Sequence, residues 1–212
     1  MSVLSLAAAL HIAASCAPTV APETLLSVVR TESSFDSLAI GDNTDRRSYH
    51  PATVAEAVAL AAQLIAAGHS VDLGAAQINW SAGHLQRRGL PPGAAFDPCT
   101  GFRIGGEVLA DCWGRATGAD EQARLLSAVG CYNAGHPAGP GTAYVQRVQA
   151  SAAVIVPAIR IVGLPAAPLP LPLPLPAAPT RLPGPLFVRA GDPPAAETPG
   201  GDRPRLFSHH GD

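Results

Sequence analysis

The sequence predicts a mainly α-helical domain over residues 1–160 with a small β-hairpin or loop element, followed by a proline-rich disordered tail over 161–212. Apolar residues recur at helical spacing in five segments, most of which open on a capping residue or a first-turn proline. Between them the period is lost and turn residues appear. From Gly163 onward the chain carries 13 of its 22 prolines, including PLPLPLPLP at 168–176. Each proline removes a backbone donor and fixes φ, so this part reads as extended polyproline II or disorder.

Pro22 suits a first helical turn, and Leu25, Val28, Val29 and Glu32 follow at helical spacing. Residues 33–50 lose that period and contain GDN, which predicts a loop or hairpin. Thr53 and Glu56 match a capping box; Val54, Val58, Ala61 and Ile65 form the expected inward stripe, and Gly68 closes the helix. VDLGAAQINW at 71–80 reads as a strand entering a helix. Asp97-Pro98 opens the next helix, with Ile104, Val108 and Cys112 on one face. Another starts near Asp120 and aligns Leu125, Val129 and Tyr132. The last begins near Thr142 and aligns Tyr144, Val148, Ala152 and Ile155.

All 14 basic residues are arginines and the net charge is −2, without the basic excess that nucleic acid demands. The apolar LAAAL at 6–10 has no basic residue before it, the first being Arg30, so no secretory signal is read. Pro157 and Arg160 interrupt the longest apolar stretch, and no membrane span is expected. Cys16, Cys99, Cys112 and Cys131 lack zinc-ligand spacing; they permit two disulfides in three pairings, or four free thiols. No HExxH, phosphate loop or nucleotide fingerprint occurs, and His209-His210 has no further ligands nearby in sequence, so neither a metal nor a cofactor is expected.

Glu32 is the unusual residue. It shares a face with Leu25 and Val28, which a helix normally buries, and lies at the carboxyl end of its helix. Desolvation and the helix dipole both raise a carboxyl pKa there, and a protonated glutamic acid near neutral pH is what a general acid must be. A frayed helix end with Glu32 in solvent is the bland alternative.

Further stretches follow in order: AIGDN at 39–43, GAAQIN at 74–79, YNAG at 132–135 and YVQRV at 144–148. With Glu32-Ser33, CAPTVAPETL at 16–25 and FDPCTGFRIGGEVLADC at 96–112, the series over about residues 10–155 resembles the lytic transglycosylases of the goose-lysozyme-like superfamily. The resemblance is to members associated with type IV secretion and conjugation. It implies a lysozyme-like α+β fold and cleavage of peptidoglycan at the β-1,4 bond between N-acetylmuramic acid and N-acetylglucosamine, leaving a 1,6-anhydromuramyl end. Glu32 would be the single catalytic acid and base. Tyr132 matches a tyrosine whose hydroxyl approaches that glutamate; Ser33, Gln77 and Asn133 match sugar-holding residues, and Asn79 either binds sugar or secures its own loop. Ala75 and Ala76 stand where the family commonly has Leu and Met, which predicts a wider cleft.

The resemblance also implies disulfides Cys16–Cys99 and Cys112–Cys131 and a periplasmic location. Its partners would be glycan strands and, through the tail, type IV secretion components. Two other readings are a water-using muramidase, with Asp36, Asp45 or Asp72 as second carboxylate, and a non-catalytic glycan-binding assembly factor.

Overall fold

A computed structural model describes residues 3–139 and 141–162. The predicted tail lies outside them except for its first two residues, which complete the last helix. The elements are α1 (Leu6–Cys16), α2 (Pro22–Ser33), β1 (Ile40–Asp42), β2 (Arg47–Tyr49), α3 (Val54–Ala66), β3 (Val71–Leu73), β4 (Ile78–Asn79), α4 (Pro98–Arg115), α5 (Glu121–Ala134) and α6 (Ala143–Val162). Short 3-10 turns occupy Gln86–Arg88 and Pro92–Phe96.

Helix α2 lies at the centre. Its Leu25, Leu26, Val28 and Val29 are fully buried, each side chain contributing about 2 kcal/mol of apolar burial. Its most extensive contact is with α6. There Thr31 donates to Ser151 Oγ at 2.8 Å, while Tyr144, Val148, Ala152 and Ile155 face inward as their spacing predicts. By length and composition α6 could cross a membrane, although its inward face packs as a core helix does. Pro157 does not stop it: the helix runs on to Val162, past the predicted boundary.

The caps bear out the sequence. Asp97 accepts Thr100 N at 2.8 Å, Asp120 accepts Ala123 N at 2.8 Å, and Thr53 accepts Glu56 N at 3.2 Å. Gly135, in the left-handed region at φ 75, ends α5. The stripe predicted for α3 holds at Ala61 and Ile65 and fails at its two valines. Val54 and Val58 are exposed, and the buried line is Ala57, Ala61 and Leu64, because small alanines let α3 approach Pro92–Phe96 closely.

Two further features escaped the sequence. Residues 6–16 form a helix, α1, which buries Ala9, Leu10 and Ala13 and packs on α4. Residues 71–79 are not a strand entering a helix but a hairpin, β3–β4, which completes an antiparallel sheet ordered β2-β1-β3-β4. The β3–β4 turn requires Gly74: φ is 73, and a Cβ would lie 2.1 Å from the carbonyl oxygen of Ala95.

Cys16–Cys99 fastens the end of α1 to the start of α4, and Cys112–Cys131 joins α4 to α5. Both pairings are those the resemblance implied.

Candidate active site

Glu32 occupies the last turn of α2, where two hollows meet. A cleft of about 540 Å³ is lined by Glu32, Asp72, Gln77, Asn79, Tyr132 and Asn133, among others. A second hollow of about 290 Å³ is lined by Glu32, Ser33, Asp36, His50 and Gln77. Glu32 and Gln77 belong to both, so a chain molecule laid along the groove would pass directly over the carboxyl group.

The local backbone aims Glu32 into this groove. Helix α2 ends at Ser34, with φ 54, and Phe35 follows at φ 67. Successive left-handed residues without glycine are costly, roughly 1 kcal/mol or more each, and persist only where surrounding packing holds them. Phe35 is buried and its carbonyl accepts Leu4 N at 3.0 Å. The chain therefore turns sharply away, leaving the last turn of α2 open to the groove.

Burial pushes the Glu32 carboxyl up from 4.5 to about 7. The nearby Asp72 charge adds to the rise, while the Tyr144 hydrogen bond and the Arg147 charge oppose it. The Tyr144 hydroxyl donates to Glu32 Oε1 at 2.5 Å. Burial and the neighbouring Glu32 charge raise the Tyr144 hydroxyl far above its ordinary range, so it remains a donor.

The tyrosine bonded to the glutamate is therefore Tyr144 of α6; Tyr132 stands near enough to feel the Glu32 charge but does not bond it. Tyr132 lines the cleft, but its hydroxyl donates to Ala76 O at 2.7 Å. Sequence reasoning placed Tyr144 only on the apolar face of its helix. Its phenol, long enough to reach past that face to an acid 112 residues away, was the available signal.

Other predicted residues form the frame as well as the wall. Ser33 Oγ donates to Ala75 O at 2.7 Å, fastening the β3–β4 turn to α2. Gln77 adopts φ 47, and its Nε2 donates to Gly74 O at 2.8 Å and Ala39 O at 3.2 Å. Asn79 Nδ2 donates to Asp72 Oδ1 at 2.7 Å and Asn79 Oδ1 accepts Ala82 N at 2.9 Å, so it secures its own loop. Asn133 is exposed on the cleft wall at the end of α5.

Ala75 and Ala76 do not widen the cleft, since both are buried and line neither hollow. A Cβ on Gly105 would lie 3.1 Å from Ala76 Cβ and 3.0 Å from the Tyr132 hydroxyl. The small residues at 76 and 105 bring α4 close beneath the turn.

Among the candidate second carboxylates, Asp36 is buried with His50 Nδ1 at 2.8 Å and Leu38 N at 3.0 Å. Asp45 is exposed on the β1–β2 turn. Asp72 alone of the three lines the larger cleft with Glu32. Asp42, Asp45 and His69 cluster closely enough to suggest a metal. Asp42, however, already accepts Thr44 N at 3.0 Å and pairs with His69 Nδ1 at 2.8 Å, which makes the cluster a brace for the hairpin.

A helical domain with a small sheet, and an acid seated in a groove between them, defines the lysozyme-like class of glycan-cleaving proteins. The chain belongs to the family described as the Transglycosylase SLT domain, which matches residues 9–148. It is 40% identical over 166 residues to the Type IV secretion system protein virB1 of Brucella abortus, spanning 71% of this chain and 69% of that protein. The corresponding protein of Brucella suis is 40% identical over 162 residues, spanning 72% and 67%. Protein virB1 of Agrobacterium fabrum is 36% identical over 156 residues, spanning 73% and 63%. No solved structure matches the chain.

Proposed function

We propose that this chain is a peptidoglycan lytic transglycosylase that opens the cell wall for a type IV secretion apparatus, with Glu32 as its acid and base. The observation that carries the reading is the Glu32 carboxyl, held up to about 7 where two hollows that share Glu32 and Gln77 meet.

Protonated Glu32 gives its proton to the oxygen bridging muramic acid C1 and the next sugar. The C1–O bond breaks and the departing sugar leaves with a free 4-hydroxyl. The muramic C6 oxygen then bonds to C1, and its proton returns to the Glu32 carboxylate. No water is consumed, and the internal hydroxyl removes the need for the second base that an inverting glycosidase uses. Tyr144 fixes the direction of the carboxyl, and its hydrogen bond persists when the proton has gone. Gln77, Asn133 and Ser33 offer polar groups to acetamido and hydroxyl groups along the groove.

Two disulfides agree with an oxidising compartment, and we infer a periplasmic site of action. The tail over 161–212 serves as a spacer between the domain and the secretion components. Pull-down of those components with and without residues 163–212 should give the same yield; a loss on deletion would make the tail a docking peptide instead.

Digestion of purified sacculi, followed by mass analysis, tests the reaction. The expected products are anhydromuramyl ends, one water lighter than hydrolysed ends. Glu32→Gln should remain folded and lose roughly 10²–10⁴-fold in rate. Wild-type turnover by a folded Glu32→Gln variant would remove Glu32 from its role, and hydrolysed ends would replace the transglycosylase reading with a muramidase.

A further inference from the structure

We propose that Asp72 is the electrostatic partner of Glu32: a carboxylate held by two amides in the same cleft, which stabilises the positive charge that develops on the sugar at bond cleavage. The proposal rests on the transglycosylase reading and adds a second working residue to it.

Asp72 is in the middle of β3, and its two oxygens are held separately. Asn79 Nδ2 donates to Oδ1 at 2.7 Å, and Asn43 Nδ2 donates to Oδ2 at 2.8 Å. Burial raises the Asp72 carboxyl above its ordinary value, while the amide hydrogen on each oxygen opposes that rise and keeps the group from swinging. Asn43 comes from the end of the first hairpin and Asn79 from β4, so the two hairpins grip the carboxylate between them. Nothing cationic pairs with it among the described contacts; its donors are two neutral amides. The structure thus places an anion on the cleft wall and leaves its charge uncompensated.

The cleft then contains two carboxyl groups in different settings: burial raises both, but only Asp72 has amide donors on both oxygens to oppose it. Glu32 is dry and paired with a phenol; Asp72 is fixed by amides and open to the groove. Environments that separate two acids in this way divide proton transfer from charge stabilisation. The negative charge of Asp72 also raises the Glu32 carboxyl, keeping the acid loaded. The other groups facing Glu32 are Tyr144 and Arg147 from α6 and Tyr132 from α5. Arg147 lowers the Glu32 carboxyl and the Tyr144 hydroxyl bonds it, which leaves Asp72 as the nearby anion among them.

Asp72→Asn keeps the shape and, because Asn43 can turn its amide while Asn79 stays as it is, keeps hydrogen bonds on both sides. On sacculi it should lose roughly 10–100-fold in kcat with KM little changed. The alkaline limb of its pH profile should move to lower pH, because the anion that raises Glu32 is gone. A purely structural role would move neither the limb nor kcat once folding is matched by thermal melting. Asp72→Ser, a smaller neutral replacement, should reproduce both effects.

Unchanged kcat and an unmoved limb in either folded variant would overturn the proposal. So would failure of both variants to fold, which would make Asp72 part of the scaffold. Hydrolysed ends from the wild type that disappear in Asp72→Asn would give Asp72 a base role and overturn it too. A wild type that releases no anhydro ends fails the transglycosylase reading itself, whereas an active wild type with indifferent Asp72 variants fails only this inference.

Discussion

Replacing Glu32 by glutamine should stabilise the protein, but only at neutral and alkaline pH. The native carboxyl titrates at about 7 against 4.5 for an ordinary glutamate. Between those values the folded protein binds more protons than the unfolded chain, so stability falls as pH rises through that window. Below 4.5 the group is neutral in both states and carries no penalty. Above about 7 the full penalty applies: at about 1.4 kcal/mol per pH unit across the interval, it is about 3 kcal/mol. Glutamine keeps the oxygen that Tyr144 donates to, and it has no charge to desolvate or to oppose Asp72. Thermal melts of both proteins across the pH range should therefore show no gain near pH 4. Near pH 8 the gain should be about 6–12 °C for a domain of this size. A difference that stays constant with pH, or one that shrinks as pH rises, would show that Glu32 is not buried as a charge and would refute the acid assignment's physical basis.

The cleavage rate itself should fall as pH rises through about 7, when the acid loses its proton; a rate still climbing there would deny Glu32 the role of proton donor. Tyr144→Phe removes a hydrogen bond that lowers the Glu32 carboxyl, so the alkaline limb should move to higher pH while kcat drops roughly 10-fold from lost orientation; pH–rate profiles on sacculi check both. Removing Cys16–Cys99, which spans 83 residues, should cost about 4.5 kcal/mol. Removing Cys112–Cys131, which spans 19, should cost about 3, and denaturant titration of the paired serine variants should preserve that order. Gly74→Ala, whose new Cβ meets Ala95 O, should cost about 3 kcal/mol or more. Gly68→Ala, equally left-handed but with nothing within 4 Å, should cost about 1, as equilibrium unfolding would show.

Much of this molecule was legible in its sequence because the relevant signals are local. Asp97, Asp120 and Thr53 announce helix starts through a side chain that bonds an amide three residues on. Glu32 betrayed itself by sharing a helical face with residues that must be buried. Signals that depend on a partner elsewhere were harder to read. On α3, Val54 and Val58 share a helical period with Ala61, and only tertiary packing shows that Ala57 and Leu64 join it in the core instead. Helix α1 is almost uniformly apolar, with no alternation to mark it as a core helix. Ala75 and Ala76 suggested a wider cleft because the compensating Gly105 lies on a different element. Tyr144, expected only on the apolar face of α6, makes the bond to Glu32 expected of Tyr132 for the same reason: a motif gives the residue type, but the reach of a phenol across 112 residues is set by how α6 lies on α2.

The contact between Tyr144 and Glu32 joins the second helix of the domain to the last. Until α6 is in place, α2 lacks its most extensive packing partner and Glu32 lacks the hydroxyl that fixes its carboxyl. The geometry of the acid is thus completed only by the last helix of the domain.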